Sequence, residues 1–337
     1  MKLPRNAQIW LPGYLRSRWR DRRPAPRLRG PSRIWLTIAD HFEPYWHKPD
    51  EQTAWNRVAL WASRWPEISR RNRDSQGNPA QYTFFYPQEE YQPRMLDAIG
   101  ETCHAGCGEV EVHIHHDGEG RQNFLDRMNG FVEALHARHG LLHRENGKAV
   151  FGFIHGNWAL DNSRPDGRCC GLNDEITLLR ELGCYADFTM PSGPEPTQSR
   201  IVNTIYWAND NPQEPKSYDT GVPFQRASNY RGDLLMIPGP LGIRWRERLK
   251  PRMETGELAQ QDMANAQRVR RWMELAPRIG DDVFIKLHTH GAQERNADAL
   301  LNGGLDSMFQ TIRAECDRGG HTVHYVTAHG MYRAVMG

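Results

Sequence analysis

Histidine and carboxylate residues gather in short groups along this chain, and the groups stand far apart. The groups are Asp40-His41-Phe42-Glu43, Glu89-Glu90, His113-Ile114-His115-His116-Asp117, His155-Gly156-Asn157-Trp158 and His288-Thr289-His290. Imidazole nitrogens and carboxylate oxygens are the ligand set of zinc and similar divalent ions. In an extended strand residues i and i+2 share a face, so His113 and His115 point together, with His116 or Asp117 able to fold back beside them. Three such ligands leave an open position for water, which the ion activates while polarising a carbonyl. A nearby carboxylate takes a proton and a histidine such as His288 gives one to the leaving group. That chemistry is metal-assisted hydrolysis.

The groups need elements that bring them together. Apolar, β-branched runs at 33–40, 81–86, 109–114, 149–154, 185–190, 233–237, 282–287 and 321–326 predict strands. Helical patterns lie between them near 51–72, 91–102, 120–142, 173–182, 258–276 and 297–318, the clearest stripe being Phe124, Met128, Phe131, Val132 and Leu135. Alternating strands and helices predict an α/β fold with a parallel sheet, and seven or eight units predict a closed or nearly closed β/α barrel. An open doubly wound sheet competes, but no Gly-x-Gly-x-x-Gly follows the first strand. In either architecture the site lies beyond the C-terminal ends of the strands, where every one of these groups falls. Residues 193–232 break the rhythm with Pro, Asn, Ser and Gln around one strand-like run at 201–207. They predict an insertion of loops or a hairpin able to cover the barrel mouth.

The order of these groups resembles the polysaccharide deacetylase superfamily, over roughly residues 33–290. Thr37-Ile38-Ala39-Asp40 falls on that family's Thr-x-Asp-Asp motif, His113-Ile-His-His-Asp117 on its His-x-x-x-His motif, and Ile285-Lys286-Leu287-His288 loosely matches its late Leu-x-His motif. The resemblance implies a distorted (β/α)7 barrel spanning 33–337 in one domain, with a basic arm over 1–32. It implies a divalent metal, zinc, held by Asp40, His113, and His115 or Asp117. It implies proton transfer by His288, with Glu43 or His41 opposite. The sequence departs from the family where the base is expected, since Ala39 stands there. A one-residue shift makes Asp40 the base and His41 the ligand. His155-Gly156-Asn157-Trp158 replaces the family's Arg-x-Pro-Tyr, so Trp158, Asn157 and His155, with Glu89, are expected to bind substrate. The implied reaction is deacetylation of an N-acetylated sugar in an oligosaccharide or glycan precursor. The alternatives are a glycan-binding barrel that has lost its base, or a glycosidase pairing Glu89 or Glu90 with Asp40 or Glu43.

Composition bounds the remainder. The chain has 337 residues, 38% hydrophobic and 25% charged, with no apolar run long enough to span a bilayer. Trp, Tyr and Phe number 11 each, and Trp stacks well on sugar rings. Net charge is +2, but residues 1–33 hold ten bases and one acid, leaving 33 bases against 40 acids elsewhere. That Pro-rich segment lacks the apolar core of a secretory signal. It predicts an arm on the acidic body, with peripheral contact to anionic membrane through Trp10, Leu11, Trp19 and the arginines as the other reading. A nucleic-acid partner is not expected, because the basic signal ends where the patterned fold begins. The cysteines Cys103, Cys107, Cys169, Cys170, Cys184 and Cys316 form no paired zinc-finger spacing and read as reduced thiols of a cytoplasmic protein, at the inner membrane face if the arm binds lipid. No Gly-x-Ser-x-Gly elbow or Walker A motif is present.

Overall fold

The structure is a computed structural model and describes residues 3–20, 31–246 and 250–337. The strands in order are β1 (Arg33–His41), β2 (Thr83–Pro87), β3 (Glu109–Ile114), β4 (His143–Glu145), β5 (Lys148–His155), β6 (Cys184–Asp187) and β7 (Tyr206–Ala208). They continue with β8 (Gly221–Pro223), β9 (Leu234–Met236), β10 (Gly242–Arg246), β11 (Lys250–Glu254), β12 (Arg278–Ile279), β13 (Asp282–Thr289) and β14 (Thr322–Tyr325). The helices are α1 (Ala7–Arg20), α2 (Glu51–Arg71), α3 (Pro93–Thr102), α4 (Arg121–Glu133), α5 (Glu175–Leu182), α6 (Ala266–Leu275), α7 (Glu294–Ala299), α8 (Leu305–Gly319) and α9 (Ala328–Met336). Among the described residues no helix is long and apolar enough to cross a membrane.

One mixed, mostly parallel sheet runs β12-β13-β1-β2-β3-β5-β6-β9-β7-β8, with β14 beside the first half of β1. The strands alternate between two cores. Ile34, Leu36, Ile38, Val110, Val112, Phe151, Phe153, Val283, Ile285 and Leu287 face the helices. Ala39, Phe85, Ile154, Tyr185, Leu235 and Phe284 face inward, closed from below by Ala328, Met331 and Val335 of α9. The sheet curls far enough for Lys286 Nζ on β13 to donate to Phe188 O beyond β6, at 2.6 Å. Helix α2 shows how the outer layer forms. Asp50 caps it by accepting from Thr53 N at 2.8 Å, and Ala54, Val58, Trp61, Trp65 and Ile68 bury one stripe against the sheet.

The expected closed barrel does not form. Strand β9 pairs with β6 on one edge and with antiparallel β7 on the other, so its edge is not left for β13. The insertion over 193–232 supplies β7 and β8 and therefore extends the sheet. Irregular chain fills the seam: His288 N donates to Gly256 O, and Leu258 N to His288 O. Part of the expected basic arm is also structured. Helix α1 buries Trp10 and Tyr14 against Val202, Leu241 and Leu275. Trp10 is thus spent on the body of the protein. The rest of the arm over 21–30 lies outside the described residues.

Candidate metal centre

Strand alternation decides which of the predicted residues meet. On β1, Asp40 continues the helix-facing series after Ile38, while His41 continues the inward series after Ala39. Asp40 Oδ1 accepts from Gly291 N at 2.6 Å and Oδ2 from the Tyr82 hydroxyl at 2.9 Å. Burial pushes its carboxyl up to about 8, against the pull of those two donors. Asp40, expected as a ligand, is turned by the pleat toward Gly291 and Tyr82 and joins none of the candidate metal clusters. The same parity sends His113 and His115 inward from β3, and Lys286 and His288 inward from β13, with His290 following.

These inward groups and the residues after β1 and β2 meet at the strand ends. Glu43 Oε1 lies 3.3 Å from both His113 Nε2 and His115 Nε2. His41 stacks on His290 with ring centroids 4.7 Å apart, and stands 5.1 Å from His113 and 6.4 Å from His288. Two overlapping triads result, His41-Glu43-His290 and Glu43-His113-His115, each with its ligand atoms within 4.8 Å of one another. The second histidine of the His-Thr-His group, His290, was not among the sequence-derived ligands. Its signal was the i, i+2 spacing from His288, the same spacing that linked His113 and His115.

The hydrogen bonds set the protons. His113 Nδ1 lies 2.8 Å from Ile154 O, which can only accept, so Nδ1 carries the proton and Nε2 turns a lone pair toward Glu43. His115 Nδ1 is held by Glu89 Oε1 at 2.5 Å. A carbonyl or carboxylate holding Nδ1 while Nε2 points into a cluster is the outer-shell arrangement of ligating histidines. His41 Nε2 is buried with no hydrogen-bond partner, and so is His288 Nδ1. Burial drives His41 and His288 well below the usual imidazole range, helped by His290, His113 and His288 around the first and by Lys286 and His290 around the second. Burial also lowers His290, against Glu43 and Glu257. Neutral imidazole is the form that binds metal. Burial would raise Glu43, but His113 and His115 hold it well below the carboxylate range. Burial would lower His115, but Glu43 and Glu89 hold it up to about 10. The donor set, with the unpartnered buried nitrogen of His41 and the His113 lone pair facing Glu43, fits a divalent cation.

The surroundings place the other predicted residues. Trp158 lies 6.1 Å from the rings of both His41 and His290. With Trp46, His290, Glu257, Gln260 and Asn296 it lines a cleft of about 690 Å³. Asn157 is exposed and adopts φ 53°, so it shapes the turn that presents Trp158. Gly156 is required there: a Cβ on it would overlap the His115 ring and stand 2.7 Å from Ile114 O. Trp61 Nε1 donates to Gly291 O at 2.8 Å, which ties α2 to the residue after His290.

Two expectations fall elsewhere. His155 follows Phe151 and Phe153 on the helix-facing side of β5, so it is withdrawn from the cleft. Asp117 is exposed and its Oδ1 accepts from Cys169 N at 2.7 Å, which makes it a loop clasp. His155 instead joins His116, Cys170 and Glu175 in a wholly buried group whose ligand atoms also lie within 4.8 Å of one another. Sequence reasoning missed this group because Cys170 and Glu175 lie in a loop and at a helix start with no motif spacing to the histidines.

No protein-family model matches this chain, and no curated protein matches it in sequence. Fold and site together define an α/β protein with a curled, mostly parallel sheet and buried His/Cys/Glu clusters of metal-ligand type.

Proposed function

We propose that this chain is a metal-dependent hydrolase that removes the acetyl group from an N-acetylated sugar, as a divergent protein of the polysaccharide deacetylase type. The observation that carries the reading is the convergence of His41, Glu43, His113, His115, His288 and His290 at the C-terminal strand ends, with His41 Nε2 unpartnered. Glu43, shared by both triads, with His41 and His290, would hold a zinc-like ion. Bound there, such an ion supplies Lewis acidity toward a carbonyl oxygen and toward water. The protein's own groups do the remainder. Position 39 is alanine, so the base comes from Glu89, which is 30% exposed, hydrogen-bonded to His115 and open to solvent where Glu43 is not. Water adds to the acetyl carbon as Glu89 takes its proton. The C–N bond then breaks as the proton that Glu89 took passes through neutral His288 to the sugar amine, releasing acetate. Trp46 and Trp158 line the cleft where a sugar ring would stack, and Gln260, Asn296 and Glu257 would supply hydrogen-bonding groups to its hydroxyls.

The test is acetate release from N-acetylglucosamine oligomers by tag-free protein loaded with zinc, with elemental analysis alongside. Turnover is expected in the wild type. His41→Ala is expected to lose the ion and activity, and His288→Ala to keep the ion and lose about 10²-fold or more in kcat. Metal uptake without turnover on any acetylated sugar would leave a glycan-binding protein in its place.

A further inference from the structure

We infer that His116, His155, Cys170 and Glu175 form a second metal site, closed and structural, that takes a zinc-like divalent ion. The group lies on the helix-facing side at the ends of β3 and β5, whereas the first cluster is carried on the inward faces of β1, β3 and β13, so it stands independently of the proposed reaction.

The proton count is the first argument. Gly156 O accepts from His155 Nδ1 at 2.6 Å, so His155 Nε2 is a bare lone pair. That lone pair stands 2.8 Å from His116 Nε2 and 3.3 Å from Glu175 Oε1, and His116 Nε2 stands 3.0 Å from the same carboxylate oxygen. One proton on His116 Nε2 can serve only one of these two acceptors. In the neutral ring it would also leave bare His116 Nδ1, which is buried with no hydrogen-bond partner and has Glu119 Oε2 3.9 Å away. A cation among the three atoms removes the conflict. Both Nε2 atoms then ligate, and His116 Nδ1 carries its proton toward Glu119, itself neutralised by Arg127 at 2.6 Å.

The sulfur gives the second argument. Cys170 Sγ accepts from Asn162 N at 3.2 Å and Leu172 N at 3.5 Å, and lies 3.5 Å from Glu175 Oε2. Without an ion the thiol reaches Glu175 Oε2 and Leu172 O as a donor; an ion that displaces that proton leaves a thiolate, which the two backbone N–H groups support. Zinc bond lengths put tetrahedral ligand atoms about 3.3–3.8 Å apart, so the two Nε2 atoms need separate by only about 0.5 Å. Four protein ligands, all buried, leave no position for water, which is the structural type of site. One thiolate and two imidazoles favour zinc over magnesium or calcium.

The ligands come from the ends of β3 and β5, from a loop and from the start of α5, so an ion here fastens residues 156–174. That stretch needs fastening. Asn157, Trp158, Asp161, Asn162 and Cys169 all have positive φ between 51° and 66°. Trp158, which leans over His41 and His290, sits two residues after Gly156 and inherits its position from this anchor.

Elemental analysis of tag-free protein after zinc loading is expected to give two equivalents, one lost in His41→Ala and the other in Cys170→Ser. Cobalt loading reads the sulfur directly. A thiolate-to-cobalt charge-transfer band in the near ultraviolet is expected in wild type and in His41→Ala, and is expected to vanish in Cys170→Ser. A cobalt-loaded wild type without that band overturns the inference, and this measurement stands even if Cys170→Ser does not fold. Failure of the first site shows differently: the sulfur band remains while the His41-dependent equivalent is missing.

Discussion

At the scale of single residues, one step along β1 separates the clustered His41 from a structural carboxylate. The residue types announced a site near position 40, yet they did not say which of Asp40 and His41 enters it. The reason is physical. All but two residues of β1 are buried, because one face meets the helices and the other the inner core, so no polar-apolar alternation marks the faces. The β3 histidines were legible because their i, i+2 spacing carries its own parity. Cys170 and Glu175 carried no such mark. Asp40 therefore supports a sharp prediction. Asp40→Asn is expected to bind the same metal equivalents as wild type, because the side chain serves only Gly291 N and the Tyr82 hydroxyl. Asp40→Ala leaves both donors buried and unpaired and is expected to cost about 2–4 kcal/mol of stability. Elemental analysis with denaturant titration checks both, and loss of the ion in Asp40→Asn would return Asp40 to the ligand set.

At the scale of elements, the sequence pattern located most of the scaffold. The strand predicted over 109–114 forms as β3, and that over 149–154 as β5 with one residue more at each end. The helix predicted over 258–276 begins only where Asn265 caps Arg268 N, because residues 256–258 are drawn into the seam beside β13. The 297–318 helix is interrupted around Asn302 and Gly303, where the backbone leaves the helical region. The elements are tied at their starts by charge. Asp282 at the head of β13 accepts from Arg33 at 2.6 Å, Trp35 at 2.9 Å and Arg226 at 2.7 Å, joining β13, β1 and the insertion. Burial would raise its carboxyl, but these donors outweigh it and hold it below the ordinary aspartate value. A depressed folded-state pKa stabilises above the unfolded-state value, about 3.9, and that stabilisation is lost as pH falls through the folded-state value. Asp282→Asn is thus expected to cost about 1.5–3 kcal/mol at neutral pH, with the gap from wild type closing in acid. Denaturant titrations at both pH values read this, and a gap independent of pH would remove the charge from the account.

For the whole molecule, the consequential departure from expectation is the open seam. The eight predicted strands form, as β1, β2, β3, β5, β6, β9, β13 and β14, while the short β4, β8, β10, β11 and β12 carried no mark; closure depends on which edge β9 offers, and a low-hydrophobicity insertion gives no sign that it will pair there. Because β7 takes that edge, residues 237–241 and 256–258 must hold the two sides together, with Gly239 N donating to Met190 O at 2.9 Å and Leu258 N to His288 O at 2.8 Å. Helix α1 then acquires a role that its arginines did not suggest. Trp10 and Tyr14 pack on Leu241, Val202 and Leu275, directly behind the seam, and Gly13 is needed because any Cβ there would overlap Arg200 O. The N-terminal segment works as a clamp on the weak side of the sheet, the side that carries His288. Trp10→Ala is expected to lower stability by about 2–4 kcal/mol, at or below the cost of emptying an interior aromatic site because the helix lies at the surface. The informative measurement is hydrogen exchange. Protection is expected to fall at residues 237–241 and 256–258 and to stay unchanged at β2 and β3, which contribute no residue to the apolar cluster around α1. Loss of protection confined to α1 itself would mean that the helix is carried by the sheet and does not hold it.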